Sequence, residues 1–267
     1  MIHGIAKLPN QIELPYVEQG DPTGTPLLLV HAIADSWRTF ERVLADLPPS
    51  IRALALTQRG HSGASRPPTG YRSSDFATDL EAFMDTLEIQ AAVVAGGSSG
   101  GLVAQRFAID HPERTVGLVL IGSPLTLRGK PGLQELWDST LSRLTDPLDP
   151  EIVRGFARST LARPVPAAFV EMMVQENLKV PAFVWTATFE GLMQDDFSPE
   201  LHQIKAPTLI LWGDQDTILP RSDQERLAAA IPGARLVIYP GAGHVFYWEE
   251  PERTASDLVA FVERLGG

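Results

Sequence analysis

AAVVAGGSSGGLVAQRF, residues 91–107, changes character twice within a short stretch. Residues 91–95 form an apolar run typical of a buried strand, and apolar side chains recur at helical spacing after residue 101. Between them, Gly96, Ser98 and Gly100 match the pattern Gly-x-Ser-x-Gly. A Gly/Ser-rich turn without chemistry is the alternative interpretation. The flanking strand and helix favour a tight turn that exposes the Ser98 hydroxyl at a helix N-terminus, where a developing negative charge is stabilised.

The rest of the chain alternates between short apolar runs and amphipathic stretches. The other predicted strands cover residues 11–19, 26–30, 51–56, 116–121, 207–212 and 234–239. Besides the helix after Ser98, helices are predicted at residues 37–47, 75–87, 221–230 and 251–265. This alternation predicts an α/β fold with a mostly parallel central sheet covered by helices on both faces. Ligands bind such sheets at the carboxyl ends of the strands.

A helical region interrupts this alternation. No strand is predicted between residues 124 and 204, and four helical patterns occupy residues 133–144, 150–161, 167–178 and 182–193. We therefore expect a core domain of residues 1–123 and 205–267 and a helical cap of residues 124–204, inserted before the last two strands. The large apolar side chains of the cap either form its own small core or face a ligand. The candidate pocket residues among them are Phe169, Met172, Met173 and Trp185.

The composition is that of an ordinary globular protein, with 44% hydrophobic and 21% charged residues among 267. The net charge of −11 and the lack of Lys/Arg clusters argue against nucleic-acid and membrane-surface partners. The absence of cysteine excludes disulfides, thiolate metal sites and a cysteine nucleophile. The six histidines show no metal-ligand spacing, so no metal site is expected. No other cofactor is expected either. No apolar run has the length of a membrane span and the N-terminus lacks a signal-peptide pattern, so we expect a soluble, cytoplasmic protein whose oligomeric state stays open.

A serine hydroxyl needs a neighbouring base, and that base needs a carboxylate to orient it. Asp216 follows the predicted strand that ends at Trp212, and His244 follows the one that ends at Tyr239. Because Ser98 also follows a strand, all three side chains are expected at one edge of the sheet. The chain order serine, aspartate, histidine is that of one class of hydrolases.

With these residues in place, the chain resembles the α/β-hydrolase fold enzymes that carry a helical cap, over nearly its whole length. The segments that carry the resemblance are Val30-His-Ala-Ile33, Gln58-Arg-Gly-His-Ser-Gly63, Gly96-Gly-Ser-Ser-Gly-Gly101, Gly213-Asp-Gln-Asp216 and Gly241-Ala-Gly-His244. The resemblance implies that Ser98 is the nucleophile and His244 the general base. It favours Asp216 over Asp214 as the acid, because the family places this residue at the end of a Gly-x-x-Asp segment.

The resemblance also implies an oxyanion hole formed by the backbone N–H groups of Ile33 and Ser99. Three departures from the family accompany it. Ala32 stands where the family usually has a glycine in the oxyanion loop. Thr57 stands where many relatives have an aspartate before the Arg-Gly segment. Gly97 and Ser99, which flank the nucleophile, are smaller than the residues that relatives often carry there.

The expected activity is hydrolysis of a small to medium apolar carboxylic ester or lactone through an acyl-enzyme. The serine at the turn argues against haloalkane dehalogenases and epoxide hydrolases, which use an aspartate there. Carbon–carbon bond hydrolysis of a diketone and cofactor-free perhydrolysis, or haloperoxidase activity, stay open as alternatives. A ligand-binding receptor with slow or no turnover is the alternative of another class.

Overall fold

Alternate residues of the central strand Pro26–Val30 enter two separate hydrophobic clusters. In the computed structural model, which describes residues 1–265, Leu27 and Leu29 pack on one face of the sheet while Leu28 and Val30 pack on the other. Side chains of a strand point alternately to the two faces, so a strand that is apolar throughout requires cover on both. This arrangement confirms the predicted sheet covered by helices on both faces.

The sheet has eight strands in the order β1-β2-β4-β3-β5-β6-β7-β8. The strands are Ile2–Lys7 (β1), Glu13–Gln19 (β2), Pro26–Val30 (β3), Arg52–Leu56 (β4), Ala92–Gly97 (β5), Thr115–Ile121 (β6), Thr208–Gly213 (β7) and Arg235–Tyr239 (β8). β2 is antiparallel to both β1 and β4, and the pairings from β4 to β8 are all parallel. The carboxyl ends of β3 and β5 to β8 therefore meet at one edge of the sheet.

The α-helices are Glu41–Asp46 (α1), Ser73–Thr86 (α2), Ser99–Asp110 (α3), Pro131–Ser139 (α4), Pro150–Ser159 (α5), Ala167–Leu178 (α6), Ala182–Gln194 (α7), Arg221–Ala230 (α8), Phe246–Glu249 (α9) and Pro251–Leu265 (α10). Helices α4 to α7 all lie between β6 and β7, and residues 124–204 contain no strand. We call residues 124–204 the helical segment. Within the described residues, no helix combines the length and apolar character that crossing a membrane requires.

The sequence patterns missed β1 and α9 and misjudged two helices. The predicted helix at 37–47 is a 3₁₀ helix, Trp37–Phe40, followed by α1, because Phe40 leaves the helical region with φ −99° and ψ 4°. The predicted helix at 133–144 breaks at Thr140, whose φ of −131° separates α4 from a short 3₁₀ turn. Strand β1 contacts the rest of the sheet only through β2, so its stability depends on a partner that local sequence does not reveal.

Candidate active site

Ser98 is the single residue between β5 and α3. Its backbone has φ 48° and ψ −120°, a conformation that costs a non-glycine residue about 1–3 kcal/mol. A Cβ atom on Gly96 would lie 2.6 Å from the amide nitrogen of Gly101, and one on Gly100 would lie 3.0 Å from the carbonyl carbon of His31. Glycine at both positions therefore allows the strand and the helix to approach closely enough to form this strained turn.

The side chains of Ser98, His244 and Asp216 form a hydrogen-bonded line. Nε2 of His244 lies 2.8 Å from Oγ of Ser98, and Nδ1 lies 2.7 Å from Oδ2 of Asp216. The other carboxylate oxygen of Asp216 accepts the backbone N–H groups of Ile218 at 2.8 Å and Leu219 at 2.9 Å. A carboxylate can only accept, so Nδ1 of His244 donates to it. Nε2 then carries the lone pair that accepts the Ser98 hydroxyl.

Asp214 has a different task from Asp216. Its exposed carboxylate accepts the backbone N–H of Gly241 at 2.6 Å and the side-chain amide of Gln215 at 3.0 Å. The hydrogen bonds from Gln215 and Gly241 lower the pKa of Asp214. These bonds tie the turn after β7 to the loop that carries His244, so Asp214 holds the backbone rather than the imidazole.

The loop after β3 brings Ile33 to the N-terminus of α3. The N–H of Ile33 donates to Oγ of Ser99 at 2.7 Å. Beneath it, the buried ring of His31 donates from Nδ1 to the Ala32 carbonyl at 2.7 Å and accepts the Gln58 N–H at Nε2 at 2.9 Å. Burial lowers the pKa of His31 well below its usual value, which keeps this ring neutral. The predicted donor Ile33 thus lies beside Ser99, but its N–H already has a partner in the Ser99 side chain.

A cavity of about 370 Å³ adjoins Ser98 and lies mainly under the helical segment. Its principal lining residues are Ile33, Asp35, Ser98, Ser99, Leu127, Leu133, Leu136, Leu141, Leu144, Leu148, Asp149, Ile152, Val153, Phe156, Thr160, Asn177, Trp185, Phe189, Leu192, Ile218, His244, Val245 and Trp248. Seven of these are leucines, and no Lys or Arg among residues 1–265 lines the cavity. The cavity therefore suits an apolar, uncharged group next to the Ser98 hydroxyl.

The sequence of residues 25–251 matches the model of a protein family described as the alpha/beta hydrolase fold. The chain belongs to this family. This match confirms the membership that the sequence motifs predicted.

Curated relatives of this α/β hydrolase carry different activities in their names. A 2-hydroxy-6-oxononadienedioate/2-hydroxy-6-oxononatrienedioate hydrolase of Burkholderia vietnamiensis is 32% identical over 260 residues, covering 91% of this chain and 89% of the relative. A poly(3-hydroxyalkanoate) depolymerase of Ectopseudomonas oleovorans is 30% identical, covering 97% and 91%. Among solved structures, a hydrolase from Pseudomonas aeruginosa has a TM-score of 0.87 at 26% identity, covering 97% and 98%.

The structure corrects three of the four candidate pocket residues. Trp185 lines the cavity, whereas Phe169, Met172 and Met173 are absent from its lining in the described part of the chain. The ring of Phe169 packs edge-on against Trp248, with ring centroids 5.4 Å apart. Met173 is fully buried in the cluster on one face of the sheet, so this side of α6 attaches the helical segment to the core.

The lining residues that sequence reasoning missed lie mainly between the start of α4 and Thr160, which follows α5. Leu133 and Leu136 are spaced for one face of α4, a helix without a single buried residue. Their spacing was visible in the sequence. What the sequence did not show is that this face borders a cavity instead of a packed core.

Asp35 is a buried carboxyl group at the polar end of the cavity, and sequence reasoning missed it as well. Its Oδ1 accepts the side-chain amide of Asn177 at 3.1 Å, and its Oδ2 accepts the hydroxyl of Thr39 at 2.9 Å. The Asn177 amide also donates to the Ala34 carbonyl at 2.9 Å. Burial raises the pKa of Asp35 to about 7, and the hydrogen bonds from Asn177 and Thr39 oppose this rise.

We expect the Asp35 carboxyl to make folding stability decrease with rising pH. Its pKa is about 7 in the folded protein against an ordinary 3.8, so the native state binds the proton more tightly. The contribution of Asp35 to the free energy of unfolding is complete below its pKa in the unfolded chain. It is lost as the pH rises through its pKa in the folded protein. A pKa difference of this size corresponds to a free energy on the order of a few kcal/mol. The free energy of unfolding is measured in urea for Asp35→Asn and wild type. The value for Asp35→Asn minus that for wild type should therefore increase as pH rises from about 4 to 8.

The exposed Asp138→Asn variant is the matched control for this measurement, since it removes a carboxylate from the surface of α4. It should follow wild type at every pH. A constant difference between Asp35→Asn and wild type across this range would contradict the prediction, because it would mean that Asp35 does not titrate differently in the two states.

Proposed function

We propose that this α/β hydrolase is a serine hydrolase that cleaves small to medium apolar carboxylic esters or lactones through an acyl-enzyme. The observation that carries the proposal is the position of His244, whose Nε2 lies 2.8 Å from Ser98 Oγ while its Nδ1 is held by Asp216 at 2.7 Å. An imidazole in this tautomer can take the serine proton as the hydroxyl attacks a carbonyl carbon.

In the acylation half of the reaction, Oγ of Ser98 bonds to the substrate carbonyl carbon and its proton moves to Nε2 of His244. The buried Asp216 carboxylate stabilises the resulting imidazolium. The tetrahedral oxyanion lies at the N-terminus of α3, where the Ser99 N–H and the dipole of the helix stabilise it. His244 then gives its proton to the leaving alcohol oxygen, and the ester bond breaks.

Deacylation repeats these steps with water. His244 accepts a proton from the water molecule, whose oxygen attacks the acyl carbon. Collapse of the second tetrahedral intermediate releases the carboxylic acid and returns the proton to Ser98. Because one base serves both halves of the reaction, its hydrogen bond to Asp216 must persist throughout the cycle.

The lining of the cavity supports a neutral substrate. The activity named for the Burkholderia vietnamiensis relative concerns a dioate, a dicarboxylate. No Lys or Arg of the described residues lines the cavity here, so a second carboxylate of the substrate would find no cationic partner in it. Burying a carboxylate without a cationic partner costs several kcal/mol. An ester or lactone with an aliphatic acyl group meets no such penalty, and the poly(3-hydroxyalkanoate) named for another relative is itself an aliphatic polyester.

A substrate panel tests the proposal. It comprises p-nitrophenyl esters from acetate to palmitate, unsubstituted γ- and δ-lactones, 2-hydroxy-6-oxononadienedioate, and acetate with hydrogen peroxide. We expect the highest kcat/KM on short to medium esters or lactones. Faster turnover of the dienedioate would favour carbon–carbon bond hydrolysis, and faster peracid formation would favour perhydrolysis. Binding of these ligands without turnover would favour a receptor.

We further propose that the helical segment, residues 124–204, acts as a cap that selects the acyl group. Trp185 is the informative position, because it lines the cavity and packs against Phe156 with ring centroids 5.6 Å apart. We expect Trp185→Ala to shift the ratio of kcat/KM between octanoate and acetate esters toward the longer chain by about tenfold, since a few methylene contacts are worth roughly 1–3 kcal/mol.

Met172→Ala is the matched control, since Met172 belongs to the helical segment but lies outside the cavity lining. It should change the melting temperature without changing the acyl-length ratio. Equal ratios for wild type and Trp185→Ala, together with a lowered melting temperature, would reduce the role of Trp185 to packing.

A further inference from the structure

The Ile33 N–H, a predicted oxyanion donor, is already engaged. It donates to Oγ of Ser99 at 2.7 Å, a short and well-formed hydrogen bond. A backbone amide has one hydrogen to donate. A substrate oxygen can therefore receive the full hydrogen bond of Ile33 only after the Ser99 hydroxyl has moved away.

The Ser99 hydroxyl is placed to substitute for that amide. Ser99 is the first residue of α3 and directly follows Ser98. It lines the cavity together with Ser98 and Ile33, and it is 6% exposed. Among residues 1–265, its oxygen has a hydrogen-bond partner only in the Ile33 N–H, which uses the oxygen as an acceptor. The hydroxyl proton is therefore free to be donated to a third group.

We propose that Ser99 is a further catalytic residue, whose hydroxyl donates to the substrate carbonyl oxygen as that oxygen becomes negative. Ile33 then acts through Ser99, because an N–H that donates to a hydroxyl polarises it and strengthens the bond it donates onward. Two donors of a single residue, the Ser99 N–H and the Ser99 Oγ–H, hold the oxyanion. No proton is transferred in this interaction. The inference rests on the proposed ester hydrolysis and assigns a second role at the same site.

The competing arrangement makes the opposite prediction. If the Ser99 hydroxyl merely occupies the Ile33 N–H in the resting protein and rotates away when substrate binds, removing it would free a backbone donor. Catalysis would then be unchanged or faster without the hydroxyl. The sign of the effect therefore separates a catalytic hydroxyl from one that blocks the site.

The test compares Ser99→Ala, Ser99→Thr and Ser99→Val on p-nitrophenyl butyrate. Thr and Val have nearly the same shape, but only Thr keeps the hydroxyl, so their ratio isolates it even if the alanine variant folds poorly. We expect kcat of Ser99→Ala and Ser99→Val to fall about 10²–10³-fold, the usual effect of losing one oxyanion donor, with KM little changed. Ser99→Thr should retain most of the activity.

A second readout uses the thionoester of the same substrate, in which sulfur replaces the carbonyl oxygen and accepts hydrogen bonds poorly. The rate ratio of oxygen ester to thionoester should fall in Ser99→Val and stay high in Ser99→Thr, which a merely structural role of Ser99 would not produce. Equal kcat for the Thr and Val variants, or a faster Ser99→Ala, would overturn the inference. Failure of the proposed function would look different, because wild type itself would then not hydrolyse p-nitrophenyl butyrate at a measurable rate.

Discussion

Ser98→Ala is expected to lower kcat for ester hydrolysis about a millionfold while the protein stays folded. The substitution removes the only hydroxyl within hydrogen-bond distance of His244 Nε2 among residues 1–265, 2.8 Å away. Alanine has the same Cβ as serine and meets the same cost at φ 48°, so the turn between β5 and α3 should persist. Steady-state rates on p-nitrophenyl butyrate, with the melting temperature as a folding check, measure both expectations.

The control is Ser74→Ala, which removes an exposed hydroxyl from the first turn of α2 and should leave kcat unchanged. A fluorophosphonate should modify wild type once, on the peptide that contains Ser98, and should leave Ser98→Ala unmodified. Residual activity of Ser98→Ala within about tenfold of wild type, or a stoichiometric adduct on another residue, would show that the nucleophile is elsewhere.

The sequence was sufficient to predict the strands and turns that carry the candidate site. The apolar run before Gly96 is typical of a strand buried on both faces, and the glycines after it favour a close turn into a helix. Once the sheet was predicted to be parallel, Ser98, Asp216 and His244 had to share an edge, because each follows the carboxyl end of a strand. The order of the patterns along the chain is enough to place these three side chains together.

Contacts between residues far apart in the chain were beyond such reasoning. Asp35 and Asn177 are 142 positions apart, and the hydrogen bond between Ile33 and Ser99 spans 66. Neither pair lies within one helix or strand, so no local periodicity encodes it. For the same reason, the sequence did not predict which side of α6 packs against the core. Its apolar side fits a cavity or a core equally well, and only the packing against Trp248 decides between them.

Asp216→Asn is expected to lower kcat about ten-thousandfold, because it favours the tautomer of His244 that cannot accept the Ser98 proton. The surroundings of Asp216 fix how an asparagine would sit there. One carboxylate oxygen accepts the N–H groups of Ile218 and Leu219, so the amide oxygen of the introduced asparagine should keep this position. Its NH₂ group would then face Nδ1 of His244, which would have to accept. The proton would move to Nε2, where it prevents the imidazole from accepting the hydroxyl of Ser98.

Asp214→Asn is the matched control, two residues away and with the same change of charge. The carboxylate of Asp214 accepts the Gly241 N–H at 2.6 Å, and an asparagine oxygen can still accept this hydrogen bond, so kcat should stay within about twofold of wild type. The two variants thus separate a carboxylate that sets a tautomer from one that holds a turn. If Asp214→Asn proved the more damaging, the charge near the loop of His244 would matter more than the hydrogen bond to its ring, and Asp216 could not be the residue that orients the base.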